Sequence, residues 1–179
     1  GSGKTLAYAI PMVARLLELP PHSNSTGPKA LILAPTRELV VQVMKHVTAL
    51  LKHTSFKAFP IVGGLAQVRQ ARILKEQKPE VVVATPGRLW AMMKEEEEGG
   101  GPACQYLSDW SGLLCLVVDE TDRMVEKGHF EEMQDILQFV CYREIANVGI
   151  LSDADICSSG ADAARTCQQE GADASAENK

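Results

Sequence analysis

Four short apolar runs recur along the chain, and stretches with helical periodicity alternate with them. The runs are ALILA at residues 30–34, FPIV at 59–62, VVVA at 81–84 and LLCLVV at 113–118. The helical patterns lie near 6–18, 37–52, 65–77, 87–97 and 129–140. This alternation predicts a parallel sheet covered by helices. At 179 residues and 45% hydrophobic, the chain is long enough for one α/β domain.

A phosphate-binding loop is predicted at the start of the chain. Residues 1–5 read GSGKT, the second half of the pattern G-x-x-x-x-G-K-[ST]. Glycines let such a loop approach phosphates closely, and its backbone N–H groups form a concavity for anions. Lys4 would reach the β- and γ-phosphates, and the Thr5 hydroxyl would bind Mg²⁺. Taken alone, this half-motif also fits a chance match or an expression tag.

The last apolar run, at 113–118, reads as a buried parallel strand, and two acidic residues, Asp119 and Glu120, directly follow it. Ligands of open parallel sheets bind outside the carboxyl ends of the strands, so these acids could meet a nucleotide there. Asp119 would bind Mg²⁺, and Glu120 would orient or deprotonate the attacking water. The alternative is a solvated acidic turn that opens the next helix. We favour the nucleotide because the GKT sequence and the acidic strand end stand in the required order.

Three further strand-to-helix junctions carry residues suited to phosphate binding. They are PTREL at 35–39, the glycine pair at 63–64 and TPGRL at 85–89. Thr85 reads as an N-cap and Pro86 as the first residue of a helix. If the strands are parallel, these junctions share one edge of the sheet and could hold nucleic-acid phosphates with few base contacts. Each junction alone fits an ordinary turn equally well, with Arg37 or Arg88 paired to a surface acid.

Five motifs taken in order resemble motifs I, Ia, the glycine doublet, Ib and II of the DEAD-box RNA helicases. They read GSGKT, PTREL, GG, TPGR and DETD. The resemblance covers roughly residues 1–140. It implies the first RecA-like domain of the family, an α/β P-loop domain with a mostly parallel sheet and helices on both faces. In this family ATP and RNA together close the cleft between two such domains.

The resemblance implies ATP and Mg²⁺ as cofactors, and it gives individual residues a role. Nucleotide contacts would come from Gly1, Ser2, Gly3, Lys4, Thr5, Asp119 and Asp122, with the metal at Thr5 and Asp119. Catalysis would depend on Lys4, Asp119 and Glu120. RNA contacts would come from Pro35, Thr36, Arg37, Gly64, Thr85, Gly87 and Arg88. Since these contacts would go to phosphates and sugars, little sequence preference is expected.

The whole enzyme would couple ATP hydrolysis to RNA unwinding or remodelling, as a monomer, with ribosome-assembly factors among its partners. The net charge of −5 gives no global support for RNA binding, so that interaction depends on the local junctions. The five cysteines show no C-x-x-C spacing, which argues against zinc. Cysteines that stay reduced are typical of proteins of the nucleus or the cytoplasm. We expect a nuclear protein, because the resemblance implies the nucleolus, and the cytoplasm is the alternative. No apolar run reaches the roughly 20 residues that a membrane span needs.

The chain departs from the family pattern in several places. Thr121 stands where the family has alanine, and we expect it to be a neutral spacer or to tune hydrolysis. The strand that feeds the phosphate loop would precede Gly1, and no Ser-Ala-Thr motif follows the helix near 129–140. We therefore expect a domain at 1–140 that is incomplete at both ends, with unpaired strand edges and exposed apolar faces.

The end of the chain differs in composition from the rest. Residues 141–179 carry seven acids, three bases and little apolar periodicity, which predicts a mostly disordered acidic tail.

Three functions remain open from the sequence. The first is a piece of an RNA helicase with weak or no ATPase activity by itself. The second is a catalytically inactive truncated product that binds RNA or a partner. The third is a different P-loop ATPase, such as a DNA translocase.

Overall fold

The computed structural model describes residues 3–19, 27–64, 66–97, 105–126, 128 and 130–148. The strands are β1 (Ala30–Leu33), β2 (Ala58–Ile61), β3 (Val81–Ala84) and β4 (Cys115–Val118). The helices are α1 (Lys4–Leu17), α2 (Arg37–Leu51), α3 (Gln67–Gln77), α4 (Pro86–Glu97), α5 (Gln105–Ser108), α6 (Thr121–Glu126) and α7 (Phe130–Val148). Gly1, Ser2 and the chain from residue 149 onward lie outside the described residues, and so does most of the predicted tail.

The four strands form one sheet in the order β2-β3-β1-β4, and every neighbouring pair is parallel. Leu33 at the end of β1 lies opposite Ala84 of β3 and Val118 of β4. Ala84 lies in turn opposite Ile61 of β2. The four strands therefore end level with one another, and the predicted parallel α/β fold is confirmed.

Alternation along the strands sends side chains to two cores, one on each face of the sheet. Leu31, Leu33, Val82 and Ala84 pack with α3, α4, α5, α6 and α7. Ala30, Ile32, Val81 and Val83 pack with α1 and α2 on the other face. All eight of these strand residues are buried. Burial on both faces explains why the strands read as continuous apolar runs rather than as alternating patterns.

The structure corrects the prediction of a buried strand at 113–118. All four residues of β4 are only partly buried, and so are Leu113 and Leu114 before it. In the described part of the chain β4 pairs with β1 alone, so it forms an edge of the sheet.

Helix α7 extends past the predicted boundary at residue 140 and ends at Val148. Its residues Met133, Ile136 and Val140 belong to the core beside α3 and α4. By its contacts the chain divides after Cys141. No helix in the described ranges combines the length and the apolar character needed to cross a membrane.

Helix α3 provides a test of this packing. Leu74 is fully buried against the sheet, whereas its neighbour Lys75 is exposed. Leu74→Ala should lower the free energy of unfolding by about 2–5 kcal/mol, because it leaves a cavity between α3 and the strands. Lys75→Ala should change it by no more than about 0.5 kcal/mol. Chemical denaturation measures both, and equal effects would show that α3 does not pack as described.

Candidate functional site

The start of helix α1 presents uncapped backbone amides. Gly3 precedes the helix with φ +73° and ψ 0°, a left-handed conformation that glycine adopts without strain. Among the residues that the structure describes, no side chain caps this end of the helix, and its first turn holds no acidic residue. The first N–H groups of a helix lack partners within the helix, and the helix dipole favours an anion there. The sequence GKT therefore begins a helix whose N-terminus is suited to phosphate.

Asp119, directly after β4, is hydrogen-bonded both to β1 and to helix α1. Its backbone N–H donates to the carbonyl of Leu33 at 2.9 Å, which continues the β1–β4 pairing by one residue. Its Oδ2 accepts a hydrogen bond of 2.8 Å from the hydroxyl of Tyr8, one turn after Lys4 on α1. Burial and this hydrogen bond raise the pKa of the Tyr8 phenol above its ordinary value. The phenol therefore stays protonated and serves as a donor at neutral pH.

Glu120 has a backbone conformation that few side chains adopt. Its φ is +50°, and its carbonyl accepts from the N–H of Met124 at 3.2 Å as α6 begins. Its Oε2 accepts from Nη1 of Arg123 at 2.9 Å. This ion pair is partly exposed and contributes little to stability, but it fixes one carboxylate oxygen. Strained residues of this kind cluster at functional sites.

Five of the predicted nucleotide and catalytic residues line one cavity of about 380 Å³, a volume in the range of small-molecule sites. Its lining residues are Gly3, Lys4, Thr5, Leu6, Leu39, Gln42, His46, Asp119 and Glu120. Sequence reasoning missed the contribution of α2, although Leu39, Gln42 and His46 have the spacing of one helix face. Asp122 does not line the cavity and is exposed on α6, as is Thr121.

A second cavity, of about 350 Å³, collects the predicted RNA residues. It is lined by Pro35, Thr36, Arg37, Glu38, Gly63, Thr85, Gly87 and Arg88. The junctions after β1, β2 and β3 thus meet, as the parallel register requires. Gly64 is the predicted RNA residue that does not line the cavity, although its neighbour Gly63 does.

Thr36 and Gly64 shape the surroundings of Arg37. The Thr36 hydroxyl caps α2 by accepting from the N–H of Leu39 at 3.2 Å, so Arg37 starts the helix. Gly64 has φ +87°, and a Cβ atom built on it would lie 2.3 Å from Nη2 of Arg37. A larger residue at 64 would therefore strain the backbone and displace the guanidinium.

The guanidinium of Arg88 is held by two glutamines of α3. Its Nε donates to Oε1 of Gln70 at 3.2 Å, and its Nη1 donates to Oε1 of Gln67 at 2.7 Å. Sequence reasoning considered a surface acid as the partner of Arg88 and did not consider these glutamines. Their spacing of three residues, directly after the glycine pair, was the available signal.

The parallel sheet, the left-handed glycine before α1 and the cavity at the strand ends are the features of an α/β domain of the P-loop, RecA-like class. The sequence model of the DEAD/DEAH box helicase family matches residues 1–152. The chain therefore belongs to the DEAD/DEAH box helicase family.

Individual relatives agree with this assignment. The chain is 40% identical over 174 residues to ATP-dependent RNA helicase ddx24 of Dictyostelium discoideum, an alignment covering 77% of this chain and 18% of that protein. It is 47% identical over 110 residues to ATP-dependent RNA helicase DDX24 of Homo sapiens, covering 62% of this chain and 12% of that protein. The chain thus spans less than a fifth of the length of these relatives.

The fold also agrees with a solved structure. The crystal structure of the yeast DEAD-box splicing factor Prp28 aligns with a TM-score of 0.66 at 34% identity. The alignment covers 79% of this chain and 31% of that one.

The glycine pair allows a matched test of the contact with Arg37. Gly64→Ala should destabilise the chain by about 1–3 kcal/mol, because its φ is positive and its Cβ would meet the guanidinium. Gly63→Ala should cost less, since a Cβ there would meet no atom within 4 Å. Thermal denaturation compares the two variants. A larger loss for Gly63→Ala would contradict the described turn.

Proposed function

We propose that this chain supplies the first RecA-like domain of an ATP-dependent RNA helicase. It would bind Mg²⁺–ATP in the cavity beside α1 and the RNA backbone in the cavity at the ends of β1, β2 and β3. The observation that carries the proposal is the convergence of Lys4, Thr5, Asp119 and Glu120 on one cavity at the carboxyl edge of the sheet.

The residues present fit a magnesium nucleotide. The uncapped amides after Gly3 and the Lys4 ammonium offer positive charge to the phosphates. Thr5 and Asp119 offer the hard oxygen ligands that Mg²⁺ prefers. No cluster of three or more His, Cys, Asp or Glu side chains suited to a metal occurs within the described ranges, so phosphate oxygens would supply further ligands. Bound Mg²⁺ would neutralise charge on the transferred phosphoryl group.

The chain's own residues would then position the reacting groups. Tyr8 holds one oxygen of Asp119, which orients this carboxylate toward α1. Glu120 would orient the attacking water or accept its proton, and Arg123 fixes one of its oxygens. Thr121 lies outside the cavity, which supports its role as a neutral spacer.

The second cavity would hold RNA through its backbone. Arg37 and Arg88 bring two cations to it, and the α2 and α4 helices begin beside it. Helix N-termini and guanidinium groups recognise phosphates irrespective of the base. Unwinding or remodelling by the whole enzyme, a monomeric state, ribosome-assembly factors as partners and a nuclear location stay predictions.

Lys4→Ala tests the nucleotide cavity. The variant should weaken binding of a fluorescent ATP analogue with Mg²⁺ by about tenfold or more, since a hydrogen bond to a charged group is lost. Lys45→Ala is the matched control, because Lys45 is exposed and does not line this cavity. Fluorescence anisotropy gives both affinities. If the two variants bind equally well, the phosphates do not lie at Lys4.

Arg37→Ala tests the RNA cavity. The variant should bind single-stranded RNA more weakly, and the slope of log K against log salt should become shallower by about 0.7 for the lost phosphate contact. Arg72→Ala is the control, because Arg72 is exposed and pairs with Glu76 on α3. Oligouridine and oligoadenosine should lose equal affinity.

Two other outcomes of these binding measurements would favour the alternative functions. RNA binding that depends on Arg37 in a chain that binds no nucleotide would indicate the inactive RNA-binding product. Tighter binding to DNA than to RNA would favour the translocase.

A further inference from the structure

The side chain of Gln70 bridges two loops that sequence reasoning treated separately. It is 1% exposed. Its Nε2 donates to the carbonyl of Val62 at 2.7 Å, and its Oε1 accepts from Nε of Arg88 at 3.2 Å. A carbonyl can only accept and a guanidinium can only donate, so one orientation of the amide satisfies both partners. The chemistry of the site therefore requires an amide at position 70.

Gln67 accepts a second hydrogen bond from the guanidinium of Arg88. It lies one turn before Gln70 on α3, and its Oε1 accepts from Nη1 of Arg88 at 2.7 Å. The guanidinium is planar, and two hydrogen bonds from different nitrogen atoms fix its rotation. Two residues of α3, the helix before its own, thus orient Arg88.

We propose that Gln67 and Gln70 are positioning residues that hold Arg88 in the orientation in which it binds an RNA phosphate. This inference rests on the proposed function of the second cavity. Since Gln70 also binds the carbonyl of Val62, it ties the turn at Gly63 and Gly64 to the start of α4. The two loops form one rigid phosphate-binding surface.

The neutrality of the two amides is part of this role. A carboxylate beside Arg88 would hold it as firmly but would cancel its charge and compete with the RNA phosphate. An amide oxygen accepts the same hydrogen bond and adds no negative charge beside the guanidinium. Gln67→Glu should therefore keep Arg88 in position while weakening RNA binding.

A double-mutant cycle on the full 179-residue chain tests the proposal, with short oligouridine as the probe. Gln67→Ala should weaken binding about threefold to tenfold, the range expected for the loss of one hydrogen bond of ordinary net strength. In an Arg88→Ala background the same substitution should have no further effect. Gln77→Ala is the matched control, since Gln77 is an exposed glutamine at the far end of α3. Equal losses in both backgrounds would overturn the proposal, and so would no loss from Gln67→Ala.

A second measurement separates this proposal from the proposed function. The Nη1–H signal of Arg88 in a ¹⁵N-correlated NMR spectrum should be protected from exchange in the parent chain and in Gln67→Glu, and should be broadened in Gln67→Ala, because Nη1 is the atom that donates to Gln67. If Arg88→Ala binds oligouridine as tightly as the parent, the assignment of RNA to this cavity fails, and the NMR signal still decides the positioning role. An unchanged signal in Gln67→Ala would overturn it. Gln70→Ala serves as a second variant if a thermal melt shows that it stays folded.

Discussion

The level ending of four parallel strands is the constraint on which both candidate sites depend. Leu33, Ala84, Val118 and Ile61 lie opposite one another in register, so the segments after all four strands emerge at one edge. This register brings the acids after β4 close to α1, and it brings together the three junctions that follow β1, β2 and β3. A shift of one residue in a single strand would turn its side chains to the opposite face and move its junction out of line.

Two long-range side-chain contacts orient residues that the strand register has brought to this edge of the sheet. Tyr8 on α1 binds Asp119, which links the start of the first helix to the end of the last strand. Gln70 on α3 binds both Val62 and Arg88, which links two neighbouring junctions. In each case a polar group from a helix orients a residue that the backbone has already brought near. The two candidate sites are therefore built in the same way on adjacent parts of one edge.

Most of the fold could be predicted because its long elements have strong local patterns. Helices α1, α2, α3 and α4 lie within two residues of their predicted bounds. The short helices α5 and α6 were missed, since four and six residues are too few to show periodicity. The partial burial of β4 depends on its neighbours in the sheet, which no local pattern reveals.

The candidate sites were predictable to the extent that their motifs are contiguous. GKT, the acids after β4 and the residues at the β1 and β3 junctions all lie where expected, whereas Asp122 lies outside the cavity. Tyr8 is 111 residues from its partner, and such a pairing leaves no signal in a single sequence.

The most direct test of the proposed nucleotide site is amide chemical-shift mapping with Mg²⁺ and a non-hydrolysable ATP analogue. The largest shifts should fall at Gly3, Lys4, Asp119 and Glu120, and largest shifts elsewhere would contradict the proposed nucleotide site.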